Sequence, residues 1–364
     1  MRERQWMDKS AYTYGLHGTP TTFTLEERIA TLEGGLQCLL APSGLAALAL
    51  VNLGLLKTGD EVLLPDNAYG PGKDLAAGEL RQFGITHQVY DPTKPADLAD
   101  RVTPRTRLVW LEAAGSVTLE FPDLLAQARL CRELGVLSAL DNTWGAGLAF
   151  NPFNLDGRGL AVDISVQALT KYPSGGGDVL MGSIVTRDAA LHRKLKLCHM
   201  RLGLGVGGND AEAVLRALPT LPLRYAAADR SARRLAEWAA RQAPFAQVLH
   251  PALPASPGHA HWQAVCGAAD AAGQGAAASL FSVGIDEKFR REQVDAFCDA
   301  LRLFRIGYSW GGPFSLVMPY ELQAMRHDWP AHLARGTLVR FAIGLEDTAD
   351  LQGDLQHAMQ QTLA

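Results

Sequence analysis

The sequence has no apolar run close to the roughly 18 uninterrupted residues that a membrane span needs. Its first residues, MRERQWMDKSAYTYG, are polar and lack the apolar core of a signal peptide. Closely paired cysteines are missing as well. Cys38, Cys131, Cys198, Cys266 and Cys298 are scattered and odd in number. That spacing fits buried thiols in a reducing compartment rather than a disulfide framework or a zinc site. There is no charge excess: the formal net charge is −4, and Lys and Arg are spread along the chain. Nucleic acid and membrane surfaces are therefore poor candidates for partners. Neither an internal repeat nor a low-complexity linker occurs. Together these absences lead us to expect a cytoplasmic protein.

What is present is an ordinary globular balance, with 48% apolar and 20% charged residues over 364 positions. That length suits two domains sharing an interface better than one core. Between about 26 and 190, short apolar runs alternate with helical stretches. The runs 61–65, 108–112, 137–141, 164–168 and 181–186 read as strands. Residues 124–134 carry apolar positions at helical spacing, with Gly135 just beyond. Continuous apolar strands alternating with helices predict a mainly parallel sheet covered on both faces. Sites in such sheets lie in the loops at the carboxyl ends of the strands. After about 215 the texture changes. Residues 225–243 read as one long helix, and a proline-bearing loop and a Gly/Ala-rich stretch, 267–278, follow. A strand at 279–283, a helix on which Val294, Phe297 and Leu301 share a face, and a strand at 338–343 complete a smaller α+β unit.

Four elements could carry chemistry. Lys171 stands just past an apolar strand, where an unpaired ammonium is costly to bury. A desolvated amine is a good nucleophile toward an aldehyde, although a snorkelling lysine fits that position equally well taken alone. Asp141, in Asp141-Asn142-Thr143-Trp144, ends another strand, where it caps the next turn or pairs with a cationic ring nitrogen. Pro42-Ser43-Gly44-Leu45 enters an apolar helix, and first-turn N–H groups can hold a phosphate. Tyr69, after the strand at 61–65, is either a core ring or one offered for stacking.

Taken in order, these elements resemble the Cys/Met-metabolism enzymes of pyridoxal-phosphate fold type I. The branch they resemble most cleaves the carbon–sulfur bond at the β-carbon of cystathionine. The matching pieces run from Tyr14-Gly15 through Pro42–Ala47, Gly59–Val62, Ala68-Tyr69, Glu112 with Gly115-Ser116, Asp141–Trp144, Gln167–Tyr172 and Tyr308–Gly312. They end at Arg340 and Gly344–Asp347. The resemblance implies an α/β fold with a large, mainly parallel sheet domain and a smaller α+β C-terminal domain. The implied layout is an arm, 1–21, crossing to a neighbouring subunit, a cofactor-binding domain, 22–215, and a C-terminal domain, 216–364.

Carried over residue by residue, the resemblance implies that Lys171 holds pyridoxal phosphate as a Schiff base and then serves as acid and base. Asp141 is implied to face the pyridine nitrogen and Tyr69 to stack on the ring. Gly44, Leu45 and Thr170 are implied phosphate contacts, with Tyr14 reaching a neighbour's phosphate in a homodimer or homotetramer. Arg340 is implied to pair with the substrate carboxylate, in a site shaped by Ser309 and Trp310. The implied reaction is α,β-elimination from cystathionine or a related S-substituted cysteine, giving a thiol, pyruvate and ammonia. The alternatives within the family are γ-elimination or γ-replacement, with racemisation as a side activity. A pyridoxal-phosphate-binding regulatory protein is the alternative from another class.

The pattern also departs from its relatives. Tyr-x-Arg becomes Tyr14-Gly15-Leu16, so a phosphate-contacting arginine is missing. Ala168 stands where many γ-type relatives have serine, Ala114 where proline is usual, and Gly175-Gly176-Gly177-Asp178 where Gly-His-Ser-Asp is usual.

Overall fold

The computed structural model describes residues 9, 12, 14–267, 274–326 and 328–363. Most of the arm expected at 1–21 up to position 13, and part of the Gly/Ala-rich stretch, lie outside the described residues.

The first sheet has seven strands: β1 (Gln37–Ala41), β2 (Glu61–Pro65), β3 (Thr86–Tyr90), β4 (Thr106–Glu112), β5 (Leu137–Asp141), β6 (Ile164–Ala168) and β7 (Gly182–Thr186). Their spatial order is β1-β7-β6-β5-β4-β2-β3. Strands β6, β5, β4, β2 and β3 pair in parallel, and β7 runs against both of its neighbours. The strands expected from apolar runs are all present, β7 beginning one residue later than its run. Two more were not expected. The edge strand β3, Thr-His-Gln-Val-Tyr, is mostly part-exposed and so carries no apolar run. β1 begins two residues after Gly34-Gly35, and that turn signal hides it.

The helix Leu124–Leu134 forms as its spacing predicts. Asp123 accepts the N–H of Ala126 at its start, and Gly135 closes it at φ 66°. The helix Gly44–Leu55 is apolar around most of its girth because it lies between the sheet and the helix Ala189–Leu202. Its first turn therefore meets the carboxyl end of β6, which is where the chemistry sits.

The second sheet is ordered β10-β11-β12-β9-β8, from β8 (Phe245–Leu249), β9 (Leu280–Asp286), β10 (Arg305–Ile306), β11 (Leu316–Tyr320) and β12 (Gly336–Ala342). The long helix expected at 225–243 runs instead from Leu221 to Ala239. Pro222 falls in its first turn, where a missing N–H costs nothing, so the helix starts earlier than the apolar pattern alone indicates. β8 occupies part of the expected loop, in the short span between Pro244 and Pro251. Val294, Phe297 and Leu301 bury as expected, the first two on the helix Arg291–Ala300 and Leu301 as its C-terminal cap.

One apolar cluster runs between the sheets, containing Leu111 and Leu140 from the first and Leu280, Leu338 and Ala342 from the second. Tyr172 belongs to it and ties the two sheets beside Lys171. Four of the cysteines are buried and Cys198 is half-buried, and all five are unbridged. Among the described residues no helix is long and apolar enough to cross a membrane.

Candidate functional site

Lys171 leaves β6 in a tight turn, its N–H bonded to the carbonyl of Ala168. The next residue fixes the direction of that turn. The Tyr172 hydroxyl lies 2.8 Å from Ser279 Oγ and accepts the Ser279 N–H at 2.9 Å, while Arg224 donates to the Tyr172 carbonyl at 2.8 Å. Lys171 Nζ is thereby aimed at the second sheet. It donates to Ser309 Oγ at 2.9 Å and lies 5.3 Å from the centre of the Trp310 ring. Burial, together with the Arg340 charge and against the attraction of Asp141, pushes the Lys171 amine down from 10.5 to about 8. A neutral, nucleophilic amine is thus accessible near neutral pH, and the bond to Ser309 turns this side chain toward the second sheet instead of solvent.

The register of β4 with β5 places Glu112 opposite Asp141 at the strand ends. Thr143 donates to Asp141 Oδ1 twice, from its N–H at 3.0 Å and its hydroxyl at 2.6 Å, and the same hydroxyl accepts the Ala168 N–H. Asp141 is therefore braced to the end of β6, three residues from Lys171. Burial raises its carboxyl, opposed by the Thr143 bonds and by Lys171. A cation beside it would offset that desolvation.

Tyr69 follows β2 and donates its N–H to Glu112 Oε2 at 2.8 Å. Burial and then the neighbouring Asp141 charge hold the Glu112 carboxyl well above the usual carboxylate range. Tyr69, Glu112 and Asp141 line one cavity with Leu64, Pro65 and Ala68. The part-exposed Tyr69 ring sits at this cavity and not in the core.

Arg340 lies in the middle of the second sheet, on β12 between β11 and β9, and is 5% exposed. Its Nη2 donates to the carbonyls of Tyr308 and Ser309 at 2.8 and 3.3 Å, and its guanidinium lies 5.3 Å from the Tyr320 ring. Among the described residues no carboxylate pairs with it, and its buried Nε has no hydrogen-bond partner. An unpaired buried guanidinium is costly unless an anionic ligand completes it. Ser309 joins the two cations, its hydroxyl on Lys171 and its carbonyl on Arg340.

At the opening of the helix Gly44–Leu55, Ser43 Oγ accepts the Ala46 N–H at 3.0 Å. The earliest N–H groups of a helix have no intrahelical acceptor and suit an anion. A Cβ at Gly44 would stand 2.7 Å from Ala168 Cβ, so only glycine lets this turn lie against the end of β6. The Thr170 hydroxyl bonds both backbone groups of Met181, at 3.1 and 3.3 Å. Tyr14 is exposed, edge-on to His17 at 5.4 Å, and takes no part in these contacts.

Residues 2–360 match the Cys/Met metabolism pyridoxal-phosphate-dependent enzymes. The chain belongs to that family. A cystathionine β-lyase of Bordetella avium is 39% identical over 363 residues, covering 99% of this chain and 87% of the relative. An L-alanine/L-glutamate racemase of Wolbachia pipientis is 32% identical over 348 residues, 96% of this chain and 82% of the relative. The solved structure of a cystathionine γ-synthase from Xanthomonas oryzae, in complex with aminoacrylate and cysteine, superposes with a TM-score of 0.85. It is 30% identical and covers 97% of this chain and 88% of its own. The fold is accordingly that of fold type I, and the cofactor of this family member is pyridoxal phosphate.

The residues present fit that group. A desolvated lysine amine, a buried carboxylate, an exposed tyrosine ring and a glycine-tight helix start converge where β2, β5 and β6 end. Reasoning from the sequence missed the parts played by Glu112 and Thr143. Both stand inside recognised motifs, but their partners are set by strand register, which the motifs do not encode.

Proposed function

We propose that this enzyme is a carbon–sulfur β-lyase that acts on cystathionine or a related S-substituted cysteine, releasing a thiol, pyruvate and ammonia. The observation that carries this reading is the Lys171 amine, desolvated and held at Ser309 beside the unpaired cation Arg340. The two groups suit the α-hydrogen and α-carboxylate of one amino acid. The 39% identity to a cystathionine β-lyase and the Ser309-Trp310 pair favour the β-position for the leaving group.

Bound pyridoxal phosphate supplies an aldehyde that condenses with amines and a protonated ring that takes up the electron pair left at the α-carbon. The chain's own residues do the rest. Asp141 would face the ring nitrogen and favour its protonated form, and the Thr143 bonds hold its carboxyl in place. Tyr69 would stack on the ring, while Gly44, Leu45 and Thr170 would hold the phosphate. Arg340 binds the substrate carboxylate through Nε and the free edge of its guanidinium. Lys171 Nζ removes the α-proton and returns a proton to the departing sulfur. Ser309 Oγ positions the amine between these two tasks. In this reading the arm, 1–21, carries Tyr14 to a neighbour's phosphate, making the enzyme a homodimer or homotetramer of the cytoplasm. Domains 22–215 and 216–364 then enclose the site.

Supplying cystathionine to the purified enzyme and measuring pyruvate tests the reading. Stoichiometric pyruvate and thiol support it, and a 2-oxobutyrate product places the elimination at the γ-carbon instead. Racemisation is the second activity to assay. A racemase relative and the shared α-carbon chemistry both favour it.

A further inference from the structure

Tyr69 is mounted on a loop that the second half of the chain holds from outside the cavity. Lys73, on the helix Gly70–Leu75, donates to the carbonyl of Asp66 at 2.8 Å and to that of Met325 at 2.7 Å. Its ammonium thus joins the entry of the Tyr69 loop to the chain leaving β11. Arg326 reinforces the junction. Its Nη1 lies 3.4 Å from Asp66 Oδ2, and its Nη2 meets Glu120 Oε1 at 2.6 Å and also the Thr118 hydroxyl. The Arg326 and Glu120 side chains are each 2% exposed. Burial acts to raise the Glu120 carboxyl, but Arg326 and Thr118 hold it below its ordinary value. A buried ion pair of this kind fixes a geometry more than it adds net stability.

The held segment is short, and its other end reaches the second cation of the site. Tyr320 ends β11 and packs its ring on Arg340, and Met325 and Arg326 follow within six residues. One stretch of chain therefore touches Arg340 at Tyr320 and grips the Tyr69 loop at Met325 and Arg326. From the inner side the same loop is pinned by the Tyr69 N–H on Glu112.

We propose that Lys73 is a positioning residue: with Arg326 it clasps the Tyr69 loop to the segment leaving β11 and so sets the spacing between the stacking ring and the carboxylate-binding Arg340. The proposal rests on the roles given to Tyr69 and Arg340 in the proposed function.

The test is Lys73→Met in the holoenzyme, which keeps the apolar stem and removes the donors. Its dissociation constant for pyridoxal phosphate should rise about fivefold, the scale on which residues remote from a ligand modulate it. Its visible dichroism should change, and kcat should fall about tenfold, as small misplacements do. Lys73→Arg, which keeps donors at this site, should recover both values to within about twofold. In a Tyr69→Ala background, Lys73→Met should change cofactor affinity by less than about twofold, because the ring through which it acts is gone. Arg326→Lys should move the same readouts in the same direction.

Wild-type affinity, dichroism and kcat in Lys73→Met would overturn the proposal, as would effects that multiply in full with those of Tyr69→Ala. If Lys73→Met does not accumulate as folded protein, Arg326→Lys alone decides by the same criteria. The cofactor measurements do not depend on the substrate. An enzyme that forms no pyruvate yet shows these affinity changes overturns the lyase reading and keeps the clasp, and the reverse result overturns the clasp.

Discussion

The two sheets contribute to the site in unlike ways. The first sheet delivers its residues from strand ends: Tyr69 after β2, Glu112 at the end of β4, Asp141 at the end of β5 and Lys171 after β6. Parallel pairing brings these ends to one edge, so adjacency follows from topology alone. The second sheet delivers Arg340 from mid-strand and Ser309 from the loop between β10 and β11. They come to Lys171 across an interface that the Tyr172–Ser279 bonds help to lock. In the proposed reading the first sheet makes the cofactor's surroundings, and the second tunes them and selects what binds.

Removing the central residue of the first sheet should have the largest effect. In the proposed reading Lys171→Ala takes away both the amine that holds the cofactor and the group that moves protons, so turnover should fall by at least about 10⁴-fold. The visible absorbance of the bound cofactor should vanish with it, read by spectrophotometry after dialysis. Wild-type turnover would break the comparison at its root. Asp141→Ala should leave the fold intact and lower kcat by about 10²-fold, the usual scale for one preorganised electrostatic partner. An unchanged rate would mean that a group other than Asp141 faces the ring nitrogen.

The second sheet should respond differently. Arg340→Ala removes a charge-assisted contact of about 1.5–3 kcal/mol, so KM should rise roughly ten- to a hundred-fold for every α-amino acid, whatever its leaving group. A second readout sharpens the comparison, because burial, joined by the Arg340 charge, depresses the Lys171 amine to about 8. A lowered lysine pKa means that the amine is protonated below that value and neutral above it. The rate at which cofactor-free protein takes up pyridoxal phosphate should therefore climb with pH through about 8. In Arg340→Ala the midpoint should move upward, since a repelling cation is gone and Asp141 remains. A midpoint that stays in place would mean that burial alone sets the amine.

This asymmetry also governs what could be read from the sequence. Strands β2, β4, β5, β6 and β7 are buried apolar runs and legible as such, and Asp141 and Lys171 stand out because they end or closely follow them. Part-exposed β3 and the two-residue β10 carry no such signal. Arg340 was found through the family pattern, because a lone arginine in an apolar strand says nothing of what it faces. Glu112 on Tyr69, Thr143 on Asp141, and Lys73 on Met325 were not found. Each depends on register or on a contact between distant parts of the chain, which no local spacing records.

The smallest expected effect is at Leu16, outside both sheets. It lies in the short turn Gly15–His17, where a Cβ built on Gly205 would stand 3.0 Å from its Cδ1. The family resemblance implies an arginine here, beside a phosphate. With leucine in its place that phosphate has one charge-assisted contact fewer, about 1.5 kcal/mol at the low end of the range. Leu16→Arg should then tighten pyridoxal phosphate binding by about tenfold at most, with kcat little changed. The contact with Gly205 works against the full gain, because a longer side chain must leave that packing to reach an anion. If the arm crosses to a neighbouring subunit, the tightening should fade as the protein is diluted and the oligomer dissociates. Measuring the cofactor dissociation constant of both proteins at two protein concentrations decides the matter. Equal constants at high concentration would show that position 16 does not serve the phosphate, and an altered substrate preference would place it at the substrate pocket instead.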